Sequence, residues 1–175
     1  SQERSDMMNS IAPIWDTNET WLVLAAGGLY GTFPKAYVFI FNALYIPVIS
    51  MLICLIFRGV SFEFRFKSSG LMQRFWDWAF FFGSLGAGLF HGVILGQLIR
   101  GFPVENGMFN KDYWAWFHHF NFLMGGLVIL FYAFMGSNFL IYRLEGAVKQ
   151  WFVSASKTLL WVTLLYIVAL FLLVY

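Results

Sequence analysis

Trp78-Ala79-Phe80-Phe81-Phe82-Gly83-Ser84-Leu85-Gly86-Ala87-Gly88-Leu89-Phe90-His91-Gly92-Val93-Ile94-Leu95-Gly96-Gln97-Leu98-Ile99 contains no Asp, Glu, Lys or Arg, and His91 and Gln97 are its strongly polar side chains. Crossing the hydrocarbon of a bilayer takes about 20 mostly apolar residues, and this run is long enough. It lacks the polar–apolar alternation of a barrel strand. Backbone groups in hydrocarbon must be satisfied within their own segment, so the run is a helix. Ala36 to Phe57 and Phe120 to Tyr142 are equally free of charge, and Thr158 to Tyr175 is a further apolar run. A fifth candidate, Asp16 to Pro34, is apolar from Trp21 onward but carries Asp16, Asn18 and Glu19 in its first turns. The expected fold is all-α: a polytopic transmembrane helix bundle of about five spans (16–34, 36–57, 78–99, 120–142 and 158–175) forming one domain over 1–175.

Composition agrees. Of 175 residues, 60% are hydrophobic, 22% aromatic and 11% charged, whereas soluble domains carry about 25% charged residues. That shortage argues against a soluble enzyme, a nucleic-acid binder and a disordered tail. The net charge of +2 is too small to imply a polyanionic partner. A single cysteine, Cys54, excludes an internal disulfide and a cysteine-based metal site. Trp15, Trp21, Trp76, Trp78, Trp114, Trp116 and Trp151 cluster near the expected helix starts, where indole rings sit at headgroup level.

Orientation follows from the basic residues. With five spans, Arg4, Arg58, Arg65, Lys67, Arg74, Arg143, Lys149 and Lys157 fall on one side, and Lys35, Arg100 and Lys111 on the other. Basic loops stay in the cytoplasm, so the N-terminal segment of this multi-pass protein is expected there. Within the third span Ser84, Gly88, Gly92 and Gly96 recur every four residues and form a stripe of small side chains. Such stripes let helices approach closely, either inside this bundle or against a partner subunit.

Charges inside spans are functional pointers, because one at a helix centre costs about 2.5–3.5 kcal/mol on insertion scales. Asp16, Glu19 and Thr20 share one helix face. If the chain rises from Asp16 to Pro34 and descends again, Arg58 returns to a similar depth. A carboxylate pair facing an arginine suits a proton entry; a structural ion pair, or carboxylates complementing a helix dipole beside a snorkelling arginine, fits the same pattern. His91, mid-span, could ligate haem, relay protons or bond across helices. The sequence shows no phosphate loop, nucleophile elbow or metal-ligand helix motif, so it offers no catalytic residue or metal ligand, and its cofactor contacts stay unknown. Half of a proton-coupled transporter, with Asp16 and Glu19 as coupling carboxylates and Pro47 breaking a helix, is the alternative reading.

Met7-Met8-Asn9-Ser10-Ile11-Ala12-Pro13-Ile14-Trp15-Asp16-Thr17-Asn18-Glu19-Thr20-Trp21-Leu22-Val23-Leu24 resembles the second-helix signature of subunit II of the bd-type quinol oxidases. Thr17 stands where that signature has glycine. Phe33-Pro34, Tyr37, Tyr45, Phe57-Arg58-Gly59-Val60-Ser61-Phe62-Glu63-Phe64-Arg65-Phe66-Lys67, Trp76-Asp77-Trp78 and Leu144-Glu145-Gly146 match in order. The Glu-Thr-Trp and Glu-Phe-Arg variants are most similar to the cyanide-insensitive branch. The match corresponds to the N-terminal half of that subunit after its first helix. The resemblance implies a respiratory complex that oxidises quinol and reduces dioxygen to water. It implies two b-type haems and one d-type haem on subunit I, with subunit II as a haem-free support that helps form a cytoplasmic proton route. Residues matching that route are Asp16 and Arg58; Glu19 is added from helix geometry. Expected partners are subunit I, small single-helix accessory subunits and membrane lipid, without nucleic acid.

Overall fold

The structure, a computed structural model, describes residues 2–11, 13–102, 104–105, 108–109 and 114–174. The described chain is a succession of helices. A short N-terminal helix α1 (Gln2–Ile11) precedes α2 (Trp15–Thr32) and α3 (Pro34–Ala43). Pro34 sits at the first helical position, where its missing N–H leaves no bond unmade. The chain then breaks at Leu44 before α4 (Tyr45–Lys67). Pro47 is the cause: a proline ring collides with the carbonyl four residues back, here that of Ala43, and supplies no N–H to it. The 36–57 run is therefore divided between α3 and α4 rather than forming one rod.

α5 (Gly70–Arg100), α6 (His119–Arg143) and α7 (Gly146–Val174) complete the bundle. Among the described residues, four helical stretches are long and apolar enough to cross a membrane: Tyr45–Lys67, Gly70–Arg100, His119–Arg143 and Gly146–Leu173. α2 does not reach that measure, because Asp16, Asn18, Glu19 and two threonines occupy its first two turns. Between α5 and α6, Val104–Glu105 pairs antiparallel with Met108–Phe109 in the register Val104↔Phe109 and Glu105↔Met108.

The stretches 58–77 and 143–157, read from sequence as basic loops, are largely helix. α4 and α5 are joined by Ser68-Ser69 alone, and α6 and α7 by Leu144-Glu145. Both links end on a glycine in the left-handed region, Gly70 at φ 61 and Gly146 at φ 72, which lets the chain reverse within two residues. At 1.5 Å per residue, the 31 residues of α5 span about 46 Å, more than the ~30 Å of hydrocarbon. Charged residues thus mark where the helices leave the apolar layer, not where they end.

Short links make neighbours antiparallel: α4 packs on α5, α5 on α6 and α6 on α7, while α2 packs on α3. Glycines set the closest approaches. A Cβ on Gly92 would lie 2.5 Å from the Gly125 Cα and the Met124 carbonyl, and one on Gly96 would lie 2.9 Å from the Asn121 Cα. Gly88, Gly92 and Gly96 of the stripe therefore face α6 within this bundle. Gly83 faces α4 instead, where a Cβ would lie 2.7 Å from the Cys54 carbonyl. On the other side of α6, Gly126 leaves room for Tyr166 of α7, whose hydroxyl donates to the Leu123 carbonyl at 2.9 Å. The apolar core joins the α3–α4 break to the α5 and α6 ends: Leu44, Val93 and Trp116 are buried, with Ile40, Val48, Phe102 and Phe122 packed around them.

Candidate functional site

The α4–α5 seam carries the charge. Ser61 is fully buried and returns its hydroxyl to the Phe57 carbonyl at 2.6 Å. One turn later Arg65 is 1% exposed and its Nε donates to Asp77 Oδ1 of α5 at 2.5 Å. Phe62 and Phe80 meet edge-on beside the pair. Arg58 and Arg65 are seven residues apart, so they share one face of α4. Arg58 lies beside Gly83: a Cβ on that glycine would lie 3.0 Å from the Arg58 backbone N. The Arg58 Nε is buried and has no hydrogen-bond partner among the described residues. Among those residues the seam therefore holds two guanidiniums against the one carboxylate of Asp77, and Arg58 is the cation left over.

The acidic residues expected to face Arg58 are on α2. Glu19 is half-buried there. Asp16 falls in the first turn of α2, and its side chain lies outside the described residues. α2 packs on α3. Glu19 and Arg58 lie on separate elements, α2 and α4. The Arg65–Asp77 pair is the contact that the sequence reading missed. Its signal was present: both residues belong to the quoted Phe-Glu-Phe-Arg and Trp-Asp-Trp stretches, and two spans joined by a tight link bring those stretches alongside.

A neutral polar cluster closes the opposite end. Gln97 and Asn121 are 1% and 0% exposed. Asn121 Nδ2 donates to Gln97 Oε1 and to the Trp116 carbonyl, both at 2.8 Å, and Gln97 Nε2 donates to the Gly101 carbonyl at 2.8 Å. Arg100 reaches Gln97 Oε1 and the Ala115 carbonyl at 3.3 Å. His118 is the N-cap of α6: its Nδ1 accepts from the Phe120 N–H at 3.2 Å. Desolvation, then the charges of Arg100 and His119, push the His118 imidazole below its ordinary value of 6.5.

A lowered histidine pKa favours the neutral form in the folded chain. The contribution is full above the unfolded value near 6.5 and is lost as pH falls from there toward the lowered one. We therefore expect the thermal midpoint to fall on acidification from pH 7 to 5, and His118→Asn, which caps without titrating, to flatten that slope. Equal slopes in the two proteins would remove His118 from the account.

At mid-depth, Tyr132 Oη of α6 and His91 Nδ1 of α5 lie 2.8 Å apart. Sequence reading had singled out His91 without a partner. The described histidines divide between this depth and the far end, where the rings of His118 and His119 are 4.0 Å apart. Among the described residues, no group of three or more His, Cys, Asp or Glu side chains could hold a metal ion.

Long apolar helices, glycine-mediated crossings and paired charges at one end define an integral membrane helix bundle. The family model for cytochrome bd terminal oxidase subunit II matches residues 1–175, and the chain belongs to that family. It is 35% identical over 150 residues to cytochrome bd ubiquinol oxidase subunit 2 of Bacillus subtilis, covering 85% of this chain and 44% of that protein. It is 41% identical over 111 residues to cytochrome bd-I ubiquinol oxidase subunit 2 of Escherichia coli K12, covering 63% of this chain and 28% of that one. A probable cytochrome oxidase subunit 2 of Haemophilus influenzae is 38% identical over 102 residues, covering 58% of this chain and 27% of that one. The chain spans less than half the length of these relatives. The family places it with oxidase subunits rather than with transporters.

Proposed function

We propose that this chain serves in a bd-type quinol:oxygen oxidoreductase of a bacterial respiratory membrane. It acts as the haem-free partner of a haem-bearing subunit I that holds two b-type haems and one d-type haem, and it supplies part of a cytoplasmic proton route to the site of dioxygen reduction. In this reading residues 1–175 form one membrane domain, α2 crosses the bilayer beside the partner subunit, and the N-terminal segment is cytoplasmic. The observation that carries the proposal is the family match over the whole chain, together with a seam where Arg58, among the described residues, is a cation without a paired carboxylate between apolar helices.

The roles follow from charge. Asp16 receives protons from cytoplasmic water at the start of α2, and Glu19, one turn further, passes them inward. Arg58 adds positive potential at this end of the bundle, which favours the ionised form of carboxylates along the route. Single-helix accessory subunits and lipid would cover the apolar outer faces. Asp16→Asn in the assembled oxidase is expected to slow oxygen consumption roughly tenfold, equivalent to about 1.4 kcal/mol on the limiting barrier, with haem bands of normal intensity. Normal turnover with proton uptake intact would remove Asp16 from the route.

A further inference from the structure

We infer that the interior of the bundle holds an ordered water molecule beside Trp116, joining the α3–α4 break to the start of α6. Two buried atoms of opposite hydrogen-bonding sense carry the inference. Trp116 Nε1 and Asn121 Oδ1 are both buried and have no hydrogen-bond partner among the described residues. Their residues are almost wholly enclosed, Trp116 at 7% and Asn121 at 0% exposure. An indole N–H only donates and an amide oxygen only accepts, and a buried polar group left unmatched is costly.

The amide cannot turn round to answer the indole. Both Asn121 Nδ2 protons are committed, one to Gln97 Oε1 and one to the Trp116 carbonyl, each at 2.8 Å. Gln97 is fixed in turn, because its Nε2 donates to the Gly101 carbonyl and its Oε1 also accepts from Arg100. Flipping Asn121 would set its oxygen against two acceptors, so Oδ1 stays as the unmet acceptor. The helix break adds a third group. Pro47 has no N–H, so the Ala43 carbonyl lacks the donor that a continuous helix would give it.

Three elements bring these groups to one depth. Leu44, next to Ala43, forms one buried cluster with Trp116 and with Val93 of α5. Gly96 and Gln97 stand three and four residues after Val93, on the same face of α5. Gly96 lies against Asn121, where a Cβ would come 3.0 Å from Oδ1. The Asn121 side chain reaches back to the Trp116 carbonyl, so the two residues stand side by side. Water fits this set. It accepts from Trp116 Nε1 and donates one proton to Asn121 Oδ1 and the other to the Ala43 carbonyl, about the number of bonds a buried water makes. A cation would be repelled by the indole N–H, and an anion by the two oxygens. The water thus gives the break that Pro47 makes a polar tie to α6 inside an apolar cluster.

The test is a cryo-EM map, at a resolution that shows ordered water, of the protein in its native assembly. The expected result is a single peak at about 2.7–3.2 Å from Trp116 Nε1, Asn121 Oδ1 and the Ala43 carbonyl oxygen. A second map, of Trp116→Phe, keeps an aromatic ring and removes the N–H, and the peak is expected to be lost from it. A wild-type map without that peak, with a peak that misses either side-chain atom, or with Trp116 Nε1 bonded directly to a protein acceptor overturns the site. A peak of equal height in Trp116→Phe overturns it as well. The wild-type map decides alone if the variant does not assemble.

Discussion

Gly92→Ala is expected to prevent the α5–α6 crossing from forming as it stands. The added Cβ would sit 2.5 Å from both the Gly125 Cα and the Met124 carbonyl, and 2.7 Å from the Gly125 N. All three are backbone atoms, so no side-chain rotation relieves the collision and the helices must separate. Overpacking typically costs about 1–3 kcal/mol, and a clash with backbone belongs at or above the upper end. Separation also loosens Asn121 from Gln97, because Gly96 touches α6 one turn later. Gly27→Ala is the matched control: nothing lies within 4 Å of its Cβ position, and alanine is a better helix former by about 0.5–1 kcal/mol. Fluorescence-detected size exclusion of the tagged chain in mild detergent would show Gly92→Ala shifted to aggregate with Gly27→Ala unchanged. A normal monodisperse peak for Gly92→Ala would mean that the seam is not packed this closely.

Asp77→Ala is the second large effect. It leaves the guanidinium of Arg65, 1% exposed, without its carboxylate. Removing one partner of a fully buried pair costs about 3–5 kcal/mol, whereas replacing both with apolar side chains is often close to neutral; with the Asp77 side chain 21% exposed, the loss belongs at or below the lower end of that range. The double variant Arg65→Met/Asp77→Leu is therefore expected to recover most of the thermal midpoint that Asp77→Ala loses. If the double variant instead lost the sum of the two single changes, the pair would not be acting as a unit.

How much of this was legible in the sequence varies by element. The charge-free runs at Trp78–Ile99 and Phe120–Tyr142 lie wholly inside α5 and α6, because hydrocarbon length is written directly in composition. The glycine stripe announced a close helix contact, and Gly88, Gly92 and Gly96 make it with α6. Helix ends were not legible. Charges at Arg58 to Asp77 looked like a loop, yet only Ser68-Ser69 turns, and the Arg65–Asp77 ion pair joins the two helices on either side. Pro47 was visible, but its effect four residues earlier at Ala43 depended on packing. His91 stood out as a polar group in a span, while its partner did not, since Tyr132 is six residues out of register and is reached only through the opposed tilt of side chains. Arg58 was legible as a charge at membrane depth; its position against Gly83 was not.

The central claim is membership of a working haem oxidase, and the most direct measurement is a reduced-minus-oxidised visible spectrum of the tagged chain purified gently from its native membrane. The account predicts a copurifying larger subunit with b-type and d-type haem bands. A colourless preparation without a partner, obtained from membranes that retain those bands, would contradict it.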